Sequence, residues 1–289
     1  MTEEQTQKVW TGDDLDDAAF TAITAVLRRR CQIDLGQYKD RCIKRRIAKR
    51  LRACVVSDVD AYLALLDSNS DELDTLAATI SIHVSQFFRN PDTFRVLESK
   101  VIPDLCHRAR VAGRREITLW SAGCSSGEEP YSLALLADAM AVTDLEIRVI
   151  ASDVSEPVLA LAKEAAYDAT RLKEVPPSVL DRYFVTQKRR FQLVERIRDK
   201  VEFFRHNIMT AQAYPQADLI LCRNVLIYFT RSEQDRILTR FAQCMPAFGA
   251  LVLGRSETLV GAVRGYYSTE FPLERVYRRR PADDIETPA

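Results

Sequence analysis

The chain has 289 residues, of which 47% are apolar and 28% are charged. These values are typical of a globular protein with about two domains, and they exclude a disordered, collagenous or membrane-embedded chain. Because 41 Lys and Arg residues balance 41 Asp and Glu residues, the protein as a whole has no electrostatic attraction for nucleic acid or for an anionic membrane.

Both ends of the chain predict flexible segments. Residues 1–18 are acidic and polar and lack the basic start and apolar run of a signal peptide, so we expect a flexible lead-in and a cytoplasmic protein. Residues 281–289, PADDIETPA, predict a disordered tail. The seven Cys lack a C-x-x-C spacing, as is typical of thiols in a reducing compartment. The three His lack paired ligand spacing, which predicts no metal site, and the short apolar stretches predict no membrane insertion.

Residues 19–112 have the periodicity of a small all-helical domain. Apolar side chains recur three or four positions apart, beginning with Phe20, Ile23 and Leu27. The helical periodicity ends at Gly-Arg-Arg, residues 113–115, which we interpret as a hinge between two domains.

Residues 113–280 predict an α/β domain. Short apolar strands alternate with amphipathic helices, a pattern that favours a mostly parallel, Rossmann-like sheet with helices on both faces. An insertion at about 167–200 interrupts this pattern. Its stretch FQLVERIR alternates apolar and polar residues, which predicts a small antiparallel β subdomain outside the main sheet.

The most informative segment is the glycine turn, GCSSG at 123–127, between the first strand and the next helix. Glycines allow a ligand to approach the backbone closely, so Gly123 is a candidate for cofactor binding, although a plain tight turn would also explain the pattern. Glu128 and Glu129 occupy the first turn of the helix, where they would repel a dinucleotide pyrophosphate. A phosphate-free cofactor with cationic groups fits better, and S-adenosylmethionine carries a sulfonium and an ammonium group.

Polar residues follow the later strands, at the edge where a doubly wound sheet binds ligands. Asp153 ends the second strand and would accept hydrogen bonds from ribose hydroxyls, or it could cap the next helix, as Ser155 could. Asn207 and Ile208 would offer an amide and an apolar wall to adenine, although Asn at a strand end is often a turn former. Three further polar residues follow the fourth strand: Arg223, Asn224 and Tyr228.

Four ordered blocks resemble the signature blocks of chemotaxis receptor methyltransferases of the CheR type. They read VSQFFRNPDTF, WSAGCSSGEEPYSLAL, ASDVSEPVL and LCRNVLIYF. The resemblance covers the chain from about Phe20 to about Arg279. It implies a protein-glutamate O-methyltransferase that transfers a methyl group from S-adenosylmethionine to glutamate carboxylates on receptor helices, forming glutamyl methyl esters and S-adenosylhomocysteine.

Carried over residue by residue, the resemblance implies a set of site residues. Arg89 and Tyr228 would flank the methyl group. His83 and Ser85 stand where relatives commonly have Asn and Thr. The implied cofactor-binding residues are His83, Ser85, Arg89, Glu128, Asp153, Asn207, Ile208, Asn224 and Val225.

The implied chemistry agrees with the small number of histidines. A glutamate side chain has a pKa near 4.3, so the nucleophile is already ionised at neutral pH and needs no general base. Catalysis would then consist of aligning the carboxylate oxygen, the methyl carbon and the sulfur, and of excluding water. Arg89 would hold the incoming carboxylate by a forked hydrogen bond, or it would position the cofactor or its loop.

Two segments could contact the implied receptor. Residues 39–52, KDRCIKRRIAKRLR, carry eight basic residues and one acidic residue, which could form a solvated face, a nucleic-acid surface or a docking face for an acidic receptor helix. The basic turn at 187–190 of the insertion would suit a receptor C-terminal peptide, and an ordinary surface hairpin explains it equally well.

Two rival functions are also compatible with the sequence. A methyltransferase for nucleic acid or a small molecule would use the same cofactor, but enzymes that methylate base amines usually have a Pro-Pro-aromatic block where this chain has CRNVLIYF. A non-catalytic, cofactor-sensing module is the second rival, and Arg89, Asn224 and Tyr228 argue weakly against it.

Overall fold

A computed structural model of the chain describes residues 10–12, 15–31, 35, 40–80, 85–209, 213–259 and 261–284. The backbone divides into two compact units. The smaller comprises Met1–Ile82 together with Tyr228–Thr230, and the larger comprises His83–Ile227 and Arg231–Ala289. The predicted lead-in and tail lie largely outside the described residues. At the C-terminal end, Ala282–Asp284 forms a short 3-10 turn.

The smaller unit is a bundle of α-helices with its own apolar core. The helices are α1 (Asp17–Cys31), α2 (Asp40–Ala53), α3 (Val59–Ser68) and α4 (Ser70–Ile80). Ile23, Leu27, Ile47 and Leu51 are fully buried, as expected for apolar residues that recur at helical spacing. The predicted all-helical fold of this region is confirmed.

Much of the basic run in α2 is used inside the smaller unit. The guanidinium of Arg50 donates to the buried carboxylate of Glu72 at 2.7 Å, and Tyr62 Oη donates to the same carboxylate at 2.8 Å. Arg46 donates to the carbonyl of Ile80 at 2.7 Å, which ties α2 to the end of α4. These contacts give part of the basic run in α2 a structural role. Fewer of its positive charges are therefore available at the surface than the sequence indicated.

The larger unit contains two sheets and seven described α-helices. The strands are β1 (Glu116–Ala122), β2 (Glu146–Asp153), β3 (Ala166–Tyr167), β4 (Phe184–Gln187), β5 (Arg190–Leu193), β6 (Val201–Arg205), β7 (Leu219–Cys222), β8 (Ala250–Leu253), β9 (Tyr267–Phe271) and β10 (Val276–Arg279). The helices are α5 (Pro91–Val96), α6 (Ile102–Val111), α7 (Glu128–Ala139), α8 (Glu156–Glu164), α9 (Pro177–Tyr183), α10 (Glu195–Arg198) and α11 (Arg231–Cys244).

The main sheet has seven strands in the order β6-β2-β1-β7-β8-β10-β9. The five strands from β6 to β8 are parallel, and β10 and β9 complete the sheet as antiparallel strands. Every residue of β7 and β8 is buried, as expected for strands covered on both faces. The predicted α/β class with a mostly parallel sheet is confirmed.

The strand order reverses between β1 and β7, because the chain builds outward through β2 and β6 before it returns to add β7 and β8. In open α/β sheets such a reversal opens a crevice beyond the carboxyl ends of the strands. The glycine turn, Asn207 and Asn224 follow strands at that edge, and Asp153 is the last residue of β2.

The predicted hinge at Gly113 is not where the units divide. Helix α6 ends at Val111. Gly113, two residues later, has a φ of +70°, and the N–H of Arg114 donates to the carbonyl of Ala109 at 2.8 Å. This is the usual glycine-terminated end of a helix. Buried side chains of α6, among them Leu105, belong to the same apolar core as Leu119 of β1, so the helix is part of the larger unit.

The insertion forms a second sheet of three antiparallel strands in the order β3-β5-β4, so the predicted antiparallel subdomain is confirmed. The alternating stretch FQLVERIR is strand only in its first half. Its second half begins the short helix α10 after Val194, because the buried Ile197 packs into the main core as a helical residue.

Candidate cofactor site

The glycine turn packs tightly against the protein itself. The N–H groups of residues 123 and 124 donate to the carbonyl of Ser152 at 2.8 and 2.9 Å. Gly123 has a φ of +80°, and a Cβ there would lie 2.6 Å from a methyl carbon of Val225. Gly127 has a φ of +92°, and its Cβ would lie 3.0 Å from that of Ala162. Both glycines are therefore required by the packing of the turn, whatever ligand it contacts.

Asp153 joins the glycine turn to the start of α8. Its Oδ2 accepts the backbone N–H of Ser125 at 2.9 Å, and its Oδ1 accepts that of Ser155, the N-cap residue of α8, at 3.1 Å. Asp153 is buried. Each carboxylate oxygen has more than one acceptor position, so the capping role and a ribose role are compatible.

A buried hydroxyl in the same turn supports a ligand at this place. Ser125 has a φ of +53°, a strained conformation for a residue with a side chain. Among the described residues its Oγ has no hydrogen-bond partner. Such buried polar atoms are uncommon in native proteins and call for a partner. The residues at the turn thus fit a ligand that carries hydroxyl or amine groups.

Glu128 is fully buried at the first position of α7. Ser126 Oγ lies 2.9 Å from both carboxylate oxygens, and the guanidinium of Arg171 lies 3.4 Å from one of them. Burial raises the pKa of Glu128, and the opposing contributions, which include Ser126, Arg171 and the hydroxyl of Ser85, do not cancel it. A cationic ligand group would stabilise this carboxylate in its ionised form.

Glu129 has a different role from that of its neighbour. It accepts a hydrogen bond from Ser121 Oγ at 2.8 Å and forms an ion pair at 3.2 Å with Arg223, whose side chain is 2% exposed. Glu129 therefore has a structural role in the first turn of α7. Its charge is balanced within the protein by Arg223.

The loop before α5 is hydrogen-bonded to the segment that follows β7. Arg223 donates to the carbonyl of Arg89 and to the side-chain oxygen of Asn90, both at 2.7 Å. The N–H of Phe88 donates to Ser132 Oγ in α7 at 3.0 Å. Ser85 also approaches this helix, through its contact with Glu128. The structure therefore brings Ser85 close to Glu128 and the backbone of Arg89 close to Arg223, although the members of each pair lie far apart in the chain.

The segment after β6 lies beside Asp153. The N–H of His206 donates to the carbonyl of Asp153 at 3.0 Å. The side-chain oxygen of Asn207 accepts the N–H of Met209 at 2.9 Å, so Asn207 does form a turn, the alternative that the sequence left open. Ile208 is buried. A contact of Asn207 or Ile208 with adenine stays a prediction.

The segment after β7 carries Asn224 and Val225. Asn224 has a φ of +61°, and Val225 packs on Gly123. Tyr228 belongs to the smaller unit, so its predicted place beside the methyl group stays a prediction. His83 lies outside the described residues.

Two residues of this site were not predicted from the sequence. Arg171 lies beside Glu128, and the buried Glu257 binds the backbone of the segment after β7. Neither residue stands in a block that carries a recognisable pattern. Within the described part of the chain, no group of three or more His, Cys, Asp or Glu is suited to hold a metal ion, and no described helix is long and apolar enough to cross a membrane.

Two protein-family models match the chain. The family described as CheR methyltransferase, all-alpha domain, matches residues 18–81, and the family described as CheR methyltransferase, SAM binding domain, matches residues 83–272. The larger unit is therefore a methyltransferase domain that binds S-adenosylmethionine, as the sequence predicted.

Individual relatives show the same similarity. The chemotaxis protein methyltransferase of Salmonella typhimurium is 34% identical over 261 residues, 87% of this chain and 88% of that protein. The protein of the same description from Listeria monocytogenes is 32% identical over 241 residues, 83% of this chain and 90% of that protein. A 104.1 kDa protein of Rhodobacter capsulatus is 34% identical over 252 residues, and the match spans 86% of this chain but only 26% of that longer protein.

Glu128→Gln should separate stability from cofactor affinity. The folded state raises the pKa of Glu128, so the stability linked to this group is present below its unfolded pKa and is lost as the pH rises through the folded value. At neutral pH the neutral Gln should therefore raise the melting temperature. Loss of the charge should weaken S-adenosylhomocysteine binding by at least about tenfold.

Thermal unfolding and calorimetry at several pH values test this prediction. The stability difference between the variant and the wild type should shrink as the pH falls toward about 4, where the carboxylate becomes protonated in both states. A variant that melts lower than the wild type at neutral pH and binds the product equally well would contradict it.

Proposed function

The chain belongs to the CheR methyltransferase family, and we propose that it methylates glutamate side chains on the cytoplasmic helices of chemotaxis receptors. The observation that carries the proposal is that both family domains match in order, at residues 18–81 and 83–272. Relatives described as chemotaxis protein methyltransferases also match along almost their whole length. The enzyme acts in the cytoplasm under this proposal, and its product is a glutamyl methyl ester.

The proposed chemistry relies on positioning. S-adenosylmethionine supplies a methyl group that its positive sulfur activates. Asp153 accepts hydrogen bonds from the ribose hydroxyls, and Glu128 accepts hydrogen bonds from the ammonium group. Both are buried carboxylates held by neighbouring donors, which suits fixed recognition of a cationic nucleoside. The other proposed cofactor contacts are His83, Ser85, Arg89, Gly123, Asn207, Ile208, Asn224 and Val225.

Arg89 and Tyr228 are the proposed catalytic residues. Arg223 donates one hydrogen bond to the carbonyl of Arg89 and one to the side-chain oxygen of Asn90, so the loop that carries Arg89 has a defined position in the larger unit. A guanidinium presented in this way can orient a substrate carboxylate that is already ionised at neutral pH.

The exposed part of α2 is the proposed docking face for the receptor. Lys44 pairs with Asp17, and Arg50 is occupied by Glu72. Arg45 and Lys49 are exposed, and exposed cations steer an acidic partner at low ionic strength. The basic turn of the β4–β5 hairpin is a second proposed contact, for a receptor C-terminal peptide.

Reversing the charges of Arg45 and Lys49 to Glu should raise the Michaelis constant for receptor at least about tenfold and leave that for S-adenosylmethionine unchanged, because two attractive charges become repulsive. Steady-state kinetics at low and moderate salt measure the effect, which should diminish as salt screens the charges. Arg28→Glu with Lys163→Glu, which reverses two exposed charges on α1 and α8, serves as the control. Equal receptor kinetics for both double variants would contradict the docking face.

Transfer of tritium from methyl-labelled S-adenosylmethionine to receptor-containing membranes tests the proposed function. A glutamyl ester releases its label as volatile methanol in mild base, which is the expected result. A base-stable product would indicate methylation of nitrogen or carbon and would contradict the proposal. Binding of S-adenosylhomocysteine without any transfer would support a non-catalytic sensor instead.

A further inference from the structure

Glu257 is a buried carboxylate in the turn after β8. One of its oxygens accepts the backbone N–H of Asn224 at 2.8 Å and that of Gly254 at 2.6 Å. The other accepts the N–H of Ile227 at 3.2 Å. A single side chain thus binds three backbone donors, two of them in the segment 224–227 after β7.

The segment that Glu257 binds has a conformation that it would not readily adopt alone. Asn224 lies in the left-handed region, with a φ of +61°, and a non-glycine residue keeps this conformation only where its surroundings enforce it. The next residue, Val225, packs on Gly123 so closely that a Cβ on the glycine would lie 2.6 Å away. The hydrogen bonds of Glu257 therefore determine where Val225 meets the glycine turn.

We propose that Glu257 is a positioning residue, whose ionised carboxylate holds the backbone of Asn224 and Val225 in the conformation that binds S-adenosylmethionine. This inference rests on the proposed contacts of Asn224 and Val225 with the cofactor. Glu257 itself touches neither the cofactor nor the substrate in this account. It acts only through the segment 224–227.

The chemistry of the contacts explains why an acid stands at this position. Three N–H donors require acceptors, and both oxygens of an ionised carboxylate accept. A Gln side chain has one oxygen and one NH₂ group, so at least one backbone N–H would face another donor. Burial raises the pKa of Glu257, which means that its ionised form costs the folded protein stability at neutral pH. A residue that served stability alone would not be expected to carry this cost.

Glu257→Gln tests the proposal, with S-adenosylhomocysteine affinity measured by calorimetry and stability by thermal unfolding. We expect product binding to weaken at least tenfold, about 1.4 kcal/mol, without a matching fall in melting temperature. Glu257→Asp keeps both acceptor oxygens on a shorter side chain and should recover part of the affinity. An unchanged affinity in a folded Gln variant would overturn the proposal.

Gly254→Ala provides a second test that leaves the carboxylate in place. The added Cβ would lie 2.6 Å from a Glu257 oxygen and 2.8 Å from the Asn224 nitrogen, so it should displace the hydrogen bond between them. The expected result is again weaker product binding. If this variant folds and binds like the wild type, Glu257 does not position the segment.

Asp218→Asn is the matched control. Asp218 is also a buried acid that binds a backbone donor, the N–H of Thr118 at 2.9 Å, and it pairs with Arg114. It stands before β7, at the opposite end of that strand from Asn224. This variant should lower the melting temperature and leave product affinity unchanged. Failure of the wild type itself to bind the product would instead contradict the cofactor site of the proposed function.

Discussion

Asp153→Ala should weaken S-adenosylhomocysteine binding by about a hundredfold, because two hydrogen bonds to a charged acceptor contribute roughly 1.5 kcal/mol each. In the folded protein the same carboxylate also holds the N–H groups of Ser125 and Ser155 at 2.9 and 3.1 Å. The variant therefore removes the ribose acceptor and loosens the glycine turn. Calorimetry with the product gives the affinity directly.

Asp144→Ala is a suitable control for Asp153→Ala. Asp144 pairs with Arg110 in an exposed ion pair and precedes β2, at the end of that strand away from Asp153. The Asp144→Ala variant should bind the product like the wild type, because Asp144 lies away from the proposed site. Its stability should also change little, since exposed ion pairs contribute little. If Asp153→Ala and Asp144→Ala bound the product equally, the ribose role of Asp153 would have to be abandoned.

Glu129→Ala should cost about 3–5 kcal/mol of unfolding free energy, because it leaves a buried guanidinium without its counter-ion. The side chain of Arg223 is 2% exposed, and burial lowers its pKa. Arg223 also fastens the loop that carries Arg89, so activity should fall as well. Urea-induced unfolding measures the free energy.

The double variant Glu129→Ala with Arg223→Met distinguishes an unpaired charge from lost packing. Replacing both members of a buried ion pair by apolar residues is often nearly neutral for stability, so the double variant should recover most of the stability while activity stays low. If Glu129→Ala lost less than about 1 kcal/mol of unfolding free energy, the buried charge of Arg223 would not depend on Glu129, and this prediction would be wrong.

The helical core and the main sheet were predictable because their signals are local. Spacing of three to four residues places Ile23, Leu27 and Ile47 on the inner faces of their helices, and all three are fully buried. The continuous apolar runs of β7 and β8 likewise report strands covered on both sides. Each signal depends only on residues close in the chain.

The division between the units was not predictable from these signals. A helix has the same periodicity whether it packs on other helices or on a sheet, and α6 packs with the sheet core. The sequence pattern changes near Gly113 because this glycine, in a left-handed conformation, terminates the last turn of α6. A glycine in a domain linker would not need that conformation.

The site was predictable where a polar residue ends a strand, as Asp153 ends β2. It was not predictable where a contact depends on tertiary structure. Glu128 and Glu129 are adjacent in sequence, yet one is buried beside Arg171 and the other pairs with Arg223. Glu257 meets Asn224 across 33 residues, and only the pairing of β7 with β8 brings them together.

A crystal structure of the protein with S-adenosylhomocysteine tests the site assignment most directly. We expect both ribose hydroxyls within hydrogen-bond distance of the Asp153 carboxylate and the ammonium group beside Glu128. A nucleoside bound away from the glycine turn, or one that touches neither carboxylate, would contradict it.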